Sequence, residues 1–459
     1  MTRNSANPMR RQGLQREILR LALPSILANI TVPLVGLADT AVAGHLGAEA
    51  AASIGAVSVG AMLFTLLYFN FGFLRTGTGG LTAQAYGRGD EAEEGLVLAR
   101  GLVFALASAL VLIAIQWPFV KAALLVTAGS PEVEALAARY FYIRIWAAPA
   151  TLSMMVFRGW FVGLQDAVSS MWTDLIVNGT NIAASILLSL GAGSFPGIGF
   201  PGIALGTVIA QYAGLAWCVL RAATRYRGIV AQVSAAALRR ALARHARRDY
   251  LRLNADLFAR GVCFTAIYVG YTLIAARLGD LLLACSSILM QLMMLFSYFT
   301  DGFAYAGEAL TGRFIGAREP VLLRRSVRAV FVWSLGIALG FMGLYSVIGV
   351  PILRLLTSDG AVVAECSRFL PWLLAMPPLG CAAFTWDGIF LGATASRPIR
   401  NTMFWAMVAF FAVWALGGLF IPAGGRAALH LLMAAYFTHL LVRTVGLSLD
   451  YPKYILIFA

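Results

Sequence analysis

Asp39 is the residue most able to do chemistry in this chain. It stands inside the otherwise apolar stretch LALPSILANITVPLVGLADTAVAGHLG, Leu21–Gly47. A carboxyl group in such surroundings takes up and releases a proton near neutral pH, because low polarity disfavours its charged form, and the two protonation states bias two conformations differently. Pro24 and Pro33 lie in the same stretch, and each removes a backbone hydrogen bond and permits a bend. Asn178, Asn181 and Ser185 recur at helical spacing further on, so they share one face. That face suits either an ion site beside Asp39 or a polar seam between two helices. The second half carries Arg260, Asp301, Glu308 and Asp387, whose opposite charges suit an ion-pair network, a gate or a substrate contact equally. Arg144, Arg158, Arg75 and Asp174 are expected near enough to water to snorkel, with no chemical role.

Catalytic patterns are absent. The histidines, His45, His245, His430 and His439, are far apart, and there is no HExxH, CxxC or GxxxxGK[ST]. The sequence therefore predicts neither an enzyme nor a bound metal or other cofactor. Cys218, Cys263, Cys285, Cys366 and Cys381 are scattered in apolar surroundings and are expected to be small packing residues rather than disulfides or ligands.

The elements that must position these groups are membrane-spanning helices. Of 459 residues, 60% are hydrophobic and 12% charged, and the mean hydropathy is +0.80. So few charges cannot cover a water-facing surface. Apolar runs of about twenty residues, the length that crosses a bilayer as a helix, recur throughout. They predict an all-α integral membrane protein with twelve transmembrane helices at 18–45, 50–76, 97–120, 138–161, 168–191, 200–221, 252–276, 281–308, 326–350, 366–390, 402–421 and 425–447. Fifteen residues after Pro24, Asp39 lies about 22 Å further along the first helix, in its outer half.

Net charge is +14, which raises a nucleic-acid partner as a candidate. The placement of the charges argues against one. Arg3, Arg10, Arg11, Arg16 and Arg20 precede the first helix, and a second cluster from Arg221 to Arg248 fills the stretch between the sixth and seventh. Basic loops mark the cytoplasmic side, so both termini are expected there. The organisation read from this is a tail at 1–17, a six-helix lobe at 18–221, a basic linker at 222–251, a second six-helix lobe at 252–447 and a tail at 448–459. The location implied is the cell (inner) membrane.

The halves are related. Pro149, Gly159 and Gly163 match Pro378, Gly388 and Gly392 at constant offset, DTAVAGHLG at Asp39–Gly47 matches YTLIAARLG at Tyr271–Gly279, and GFLRTGTGGLTAQAYGRGD at Gly72–Asp90 matches GFAYAGEALTGRFIGARE at Gly302–Glu319 with one gap. Six helices per half enter from the same side, so the two pseudo-symmetric lobes form a parallel repeat. Asp39 falls opposite Tyr271 and has no acidic twin.

Those segments, with the block Ala276–Glu319 and WDGIFLGAT at Trp386–Thr394, resemble the multidrug and toxic compound extrusion (MATE) family, most of all its DinF-like branch. The resemblance implies secondary active efflux of small amphipathic or cationic compounds by antiport against protons or sodium ions. It implies that Asp39 is the coupling acid and Pro24 the bending point of the first helix. Tyr140, Asn181 and Thr207 match residues that line the cation pocket in relatives. Many relatives carry an aspartate where this chain has Ser185. One carboxylate with amide and hydroxyl neighbours is a weak cage for a hard cation. This favours protons, while sodium remains the alternative, with Asp39 and Asn181 as its site. A lipid-linked precursor flippase of the same architecture would need several cationic residues in the cleft, whereas the most central candidate here is acidic. A channel or membrane-embedded enzyme is a further, weaker alternative. The chain is expected to work as a monomer in the bilayer.

Overall fold

The structure, a computed structural model, describes residues 11–46, 50–127, 130–191, 193, 195–241, 244–421 and 424–458. No strand occurs among them. In hydrocarbon every backbone N–H and C=O must be satisfied within the segment, and only the helix does so one span at a time. Twelve helical spans are long and apolar enough: Gly13–Gly44, Ala50–Arg88, Glu91–Ala114, Pro131–Gly163, Ala167–Leu190, Pro201–Arg225, Tyr250–Ala276, Asp280–Gly316, Pro320–Leu356, Leu370–Gly392, Ser396–Gly417 and Gly425–Phe458. The chain is thus a multi-pass integral membrane protein. Two spans are interrupted, the second by a 3-10 turn at Asn70–Gly72 and the fourth by one at Ile145–Ala147, immediately before Pro149, whose missing N–H cannot continue the ladder.

The segments expected as linker and tails are partly helical. Arg227–Ala231 and Ala235–Ala241 are short helices, Arg244–Ala276 already begins the seventh span, and the final helix runs Gly425–Tyr454. Arg3 and Arg10 lie outside the described residues.

Packing divides the chain into two compact units, Leu27–Gly261 and a second made of Met1–Ile26 with Val262–Ala459. Both divisions fall inside continuous helices rather than in the basic linker. The first comes two residues after Pro24. In the second unit the start of the first helix is held by Glu17, which accepts a hydrogen bond from Arg313 Nη1 at 2.5 Å, and by Trp333, which donates to Gln15. Each unit has its own apolar core, one around Phe64, Phe141 and Trp160, the other around Met293, Phe296 and Phe369. Met290, Met293 and Phe296 are buried core residues.

The repeat is a repeat of close helix contacts. A Cβ added at Gly159 would meet the carbonyl of Arg75, and one at Gly163 the carbonyl of Gly79; at Gly388 and Gly392 it would meet the carbonyls of Ala304 and Glu308. All four pairs of equivalent residues are separated by one and the same number of positions. The left-handed backbone at Gly89 and Gln165 (φ 72° and 63°) recurs at that separation in Arg318 and Thr394 (φ 55° and 54°). Gly388→Ala is therefore expected to destabilise the protein by about 3 kcal/mol through overpacking. Gly340→Ala, with nothing within 4 Å of the new Cβ, should be neutral or mildly stabilising. Thermal unfolding in detergent compares the two.

The five cysteines are free thiols. Two of them, distant in sequence, meet: Cys366 Sγ donates to the Cys285 carbonyl at 3.8 Å.

Candidate cation-coupling site

Asp39 is 5% exposed, near the end of the first span, facing the fifth. Ser185 Oγ donates to Asp39 Oδ1 at 3.2 Å, sharing its proton with the Ile203 carbonyl at 3.5 Å. Glycine makes this approach possible, because a Cβ at Gly206 would collide with Ser185 N at 2.6 Å and one at Gly202 with Ser189 N at 2.6 Å. The fifth and sixth spans accordingly touch backbone to backbone. One turn from Ser185, Asn181 Nδ2 donates to Thr207 Oγ1 at 2.9 Å, and Thr207 passes its own proton to the Ile203 carbonyl at 3.2 Å. Asn181 Oδ1 is buried and has no hydrogen-bond partner among the described residues. A buried acceptor is costly to leave unmade. An amide oxygen of this kind can accept from a proton donor or ligate a cation.

Tyr140 is fully buried against Gly60, where no side chain would fit. Its hydroxyl accepts a hydrogen bond from Arg144 Nη1 at 2.7 Å. Hydrogen bonds thus bring Asp39, Ser185, Asn181 and Thr207 into one linked cluster, with Tyr140 within electrostatic reach of Asp39. Asn178 sits apart from it: its Nδ2 donates to Thr31 Oγ1 at 2.7 Å, making the polar seam that its spacing equally allowed.

Two of the arginines expected near water have partners within the protein. Arg144 ends the helix Pro131–Arg144 within the fourth span, where the partial negative charge of a helix C-terminus favours a cation. Its guanidinium lies 4.7 Å from the Phe64 ring centroid and 5.5 Å from that of Tyr140. Arg158 pairs with Asp174 at 2.5 Å. The missed signal for Arg144 was its place, four residues after Tyr140 and five before Pro149.

Of the second-half charges, Asp387 accepts a hydrogen bond from Arg443 Nη2 at 2.6 Å. Arg443 is 2% exposed and lies 5.4 Å from the Phe384 ring centroid. The pairing was invisible in sequence, since Arg443 lies 56 residues beyond Asp387. Glu308 is fully buried on the eighth span, and Asp301 is half-buried on the same helix. Arg260 belongs to the other compact unit, Leu27–Gly261. Outside the spans, Asp166 caps the fifth span by accepting from Ser169 N at 3.1 Å and also accepts from Tyr226 Oη at 2.6 Å. Burial, with the adjacent carboxylate second, pushes the Tyr226 phenol up. No three His, Cys, Asp or Glu side chains among the described residues come together as a metal site.

The sequence matches the family model MatE twice, over residues 24–187 and 258–416, one match in each half. The chain belongs to the MATE family. Its DinF-like character is carried by DNA damage-inducible protein F of Escherichia coli, 35% identical over 423 residues that cover 92% of this chain and 89% of that protein. A probable multidrug resistance protein NorM of Rhizobium meliloti is 25% identical over 70% of this chain and 68% of its own. The fold matches an outward-facing multidrug resistance MATE transporter with a TM-score of 0.84 at 17% identity, covering 96% of both chains. It matches a MATE transporter in the bent conformation with a TM-score of 0.83 at 17% identity, over 97% of this chain and 96% of that one. As a MATE protein this chain is a transporter and not an enzyme.

Proposed function

We propose that this MATE protein exports small amphipathic or cationic compounds across the cell membrane by alternating access, in exchange for protons. It needs no cofactor, and its termini lie in the cytoplasm. The observation that carries this reading is Asp39: a buried carboxylate whose hydrogen-bond donor is Ser185, one helical turn from Asn181 and its unsatisfied oxygen. Protonation and release change the charge of this buried cluster by one unit, so the two states differ in free energy. That difference can drive the first span, in which Pro24 weakens the helix, between two conformations. Related transporters are named for multidrug resistance, which supports the substrate class.

Purified protein in vesicles loaded with a cationic dye tests the reading. Under an imposed proton gradient dye should move against its own gradient, and under a sodium gradient at constant pH it should not. Dye movement driven by sodium alone would replace protons as the coupling ion, and movement with neither gradient would remove antiport. Ser185→Asp adds the second carboxylate that a hard cation prefers. It is expected to introduce a sodium-driven component absent from the wild type, read in the same vesicles.

A further inference from the structure

The coupling cluster contains a charge that the proposed cycle does not use. Arg144 lies within electrostatic reach of Asp39, Tyr140 and Tyr68, and Asp39 is the one carboxylate among these groups. Its position is built rather than incidental. Nη1 is fixed on the Tyr140 hydroxyl at 2.7 Å, and the Phe64 and Tyr140 rings flank the guanidinium. The hydroxyl that could ligate a cation is thereby already occupied by a cationic donor. Gly60 leaves the space that lets Tyr140 adopt this place.

From this geometry we infer that Arg144 is a specificity-determining residue of the coupling site, a resident cation that balances ionised Asp39 and keeps sodium out. The inference rests on the proton-antiport reading and deepens it. With Asp39 ionised the cluster is neutral, so no metal ion is needed to compensate it. A sodium ion entering beside Asp39 would have to give up its water shell to a site of one carboxylate. It would also stand near a fixed guanidinium that cannot lose its proton. A proton arrives with no shell to replace and leaves no second ion in the cluster. Arg144 also takes Tyr140 out of the ligand set, since its hydroxyl oxygen already accepts from Nη1.

Equilibrium binding of radioactive sodium to the purified full chain in detergent reads this directly, without transport. Wild type and Arg144→Lys should show no saturable sodium binding at neutral pH. Arg144→Gln should bind sodium about ten-fold or more tightly than wild type, and Asp39→Asn on top of it should abolish that binding. Arg144→Met keeps the packing against Phe64 and Tyr140, and makes the same comparison if the Gln variant does not fold. Saturable binding to the wild type that Asp39→Asn removes would overturn the inference. So would a folded Gln or Met variant that binds no better than wild type. Proton-driven dye export by the wild type, measured separately, reports on the antiport reading alone, so failure of one is distinguishable from failure of the other.

Discussion

Asp39→Asn is expected to abolish gradient-driven export while leaving the protein folded and inserted. Asn is nearly isosteric, and its Oδ1 can still accept the Ser185 proton that Asp39 Oδ1 accepts at 3.2 Å. The substitution removes the cost of burying one charge but also the counter-charge of Arg144, and the two effects oppose each other. Unfolding temperature should therefore stay close to that of the wild type. What is lost is the ability to exist in two charge states, and a site that binds nothing differently in its two conformations cannot shift their populations. Dye accumulation under a proton gradient should fall to that of protein-free vesicles, while downhill leakage of dye through the protein is retained or increased. A thermal-unfolding curve run beside the transport assay separates loss of coupling from loss of fold.

The second large effect belongs to the buried pair Asp387–Arg443, with side chains 11% and 2% exposed. Truncating one partner leaves the other charge buried and uncompensated, so Asp387→Ala is expected to cost about 3–5 kcal/mol. Arg443 depends on its partner strongly, because its Nε and Nη1 atoms are buried and have no hydrogen-bond partner among the described residues. Replacing both, Asp387→Leu with Arg443→Met, should recover most of the lost stability, since a well-packed apolar pair often equals a buried ion pair. Recovery of stability together with proton-driven transport marks the pair as a strut between the tenth and twelfth spans. A stable double variant that no longer transports marks it as part of the gate or substrate path.

The fold was legible in the sequence because hydrocarbon allows so few solutions. Runs of apolar residues could be little else than spanning helices, and glycines recurring at constant offset betrayed the repeat before any contact was known. Their physical content, Gly159 on Arg75 and Gly388 on Ala304, needed coordinates. The polar cluster around Asp39 was also largely readable. Asn181 and Ser185 share a face by spacing, and the family pattern pointed to Tyr140 and Thr207. Spacing could not tell that Asn178, on the same face, turns to Thr31 instead. The partners of the arginines were not readable, because sequence gives depth along a helix but not direction around it. Arg144 turns inward onto aromatic rings and Arg158 meets Asp174. Counting helices also put the lobe boundary in the basic linker, whereas packing divides the chain within the first helix, at Ile26, and within the seventh, at Gly261.

The most direct test of Asp39 as a proton-coupling acid is proton flux evoked by substrate. Vesicles containing the purified protein and an internal pH indicator are loaded with cationic dye and diluted into dye-free medium at equal pH. The account predicts acidification of the lumen as dye leaves through the wild type, and none through Asp39→Asn whatever dye still leaks. Equal acidification by the two proteins, or dye export from the wild type with no proton entry, would contradict it.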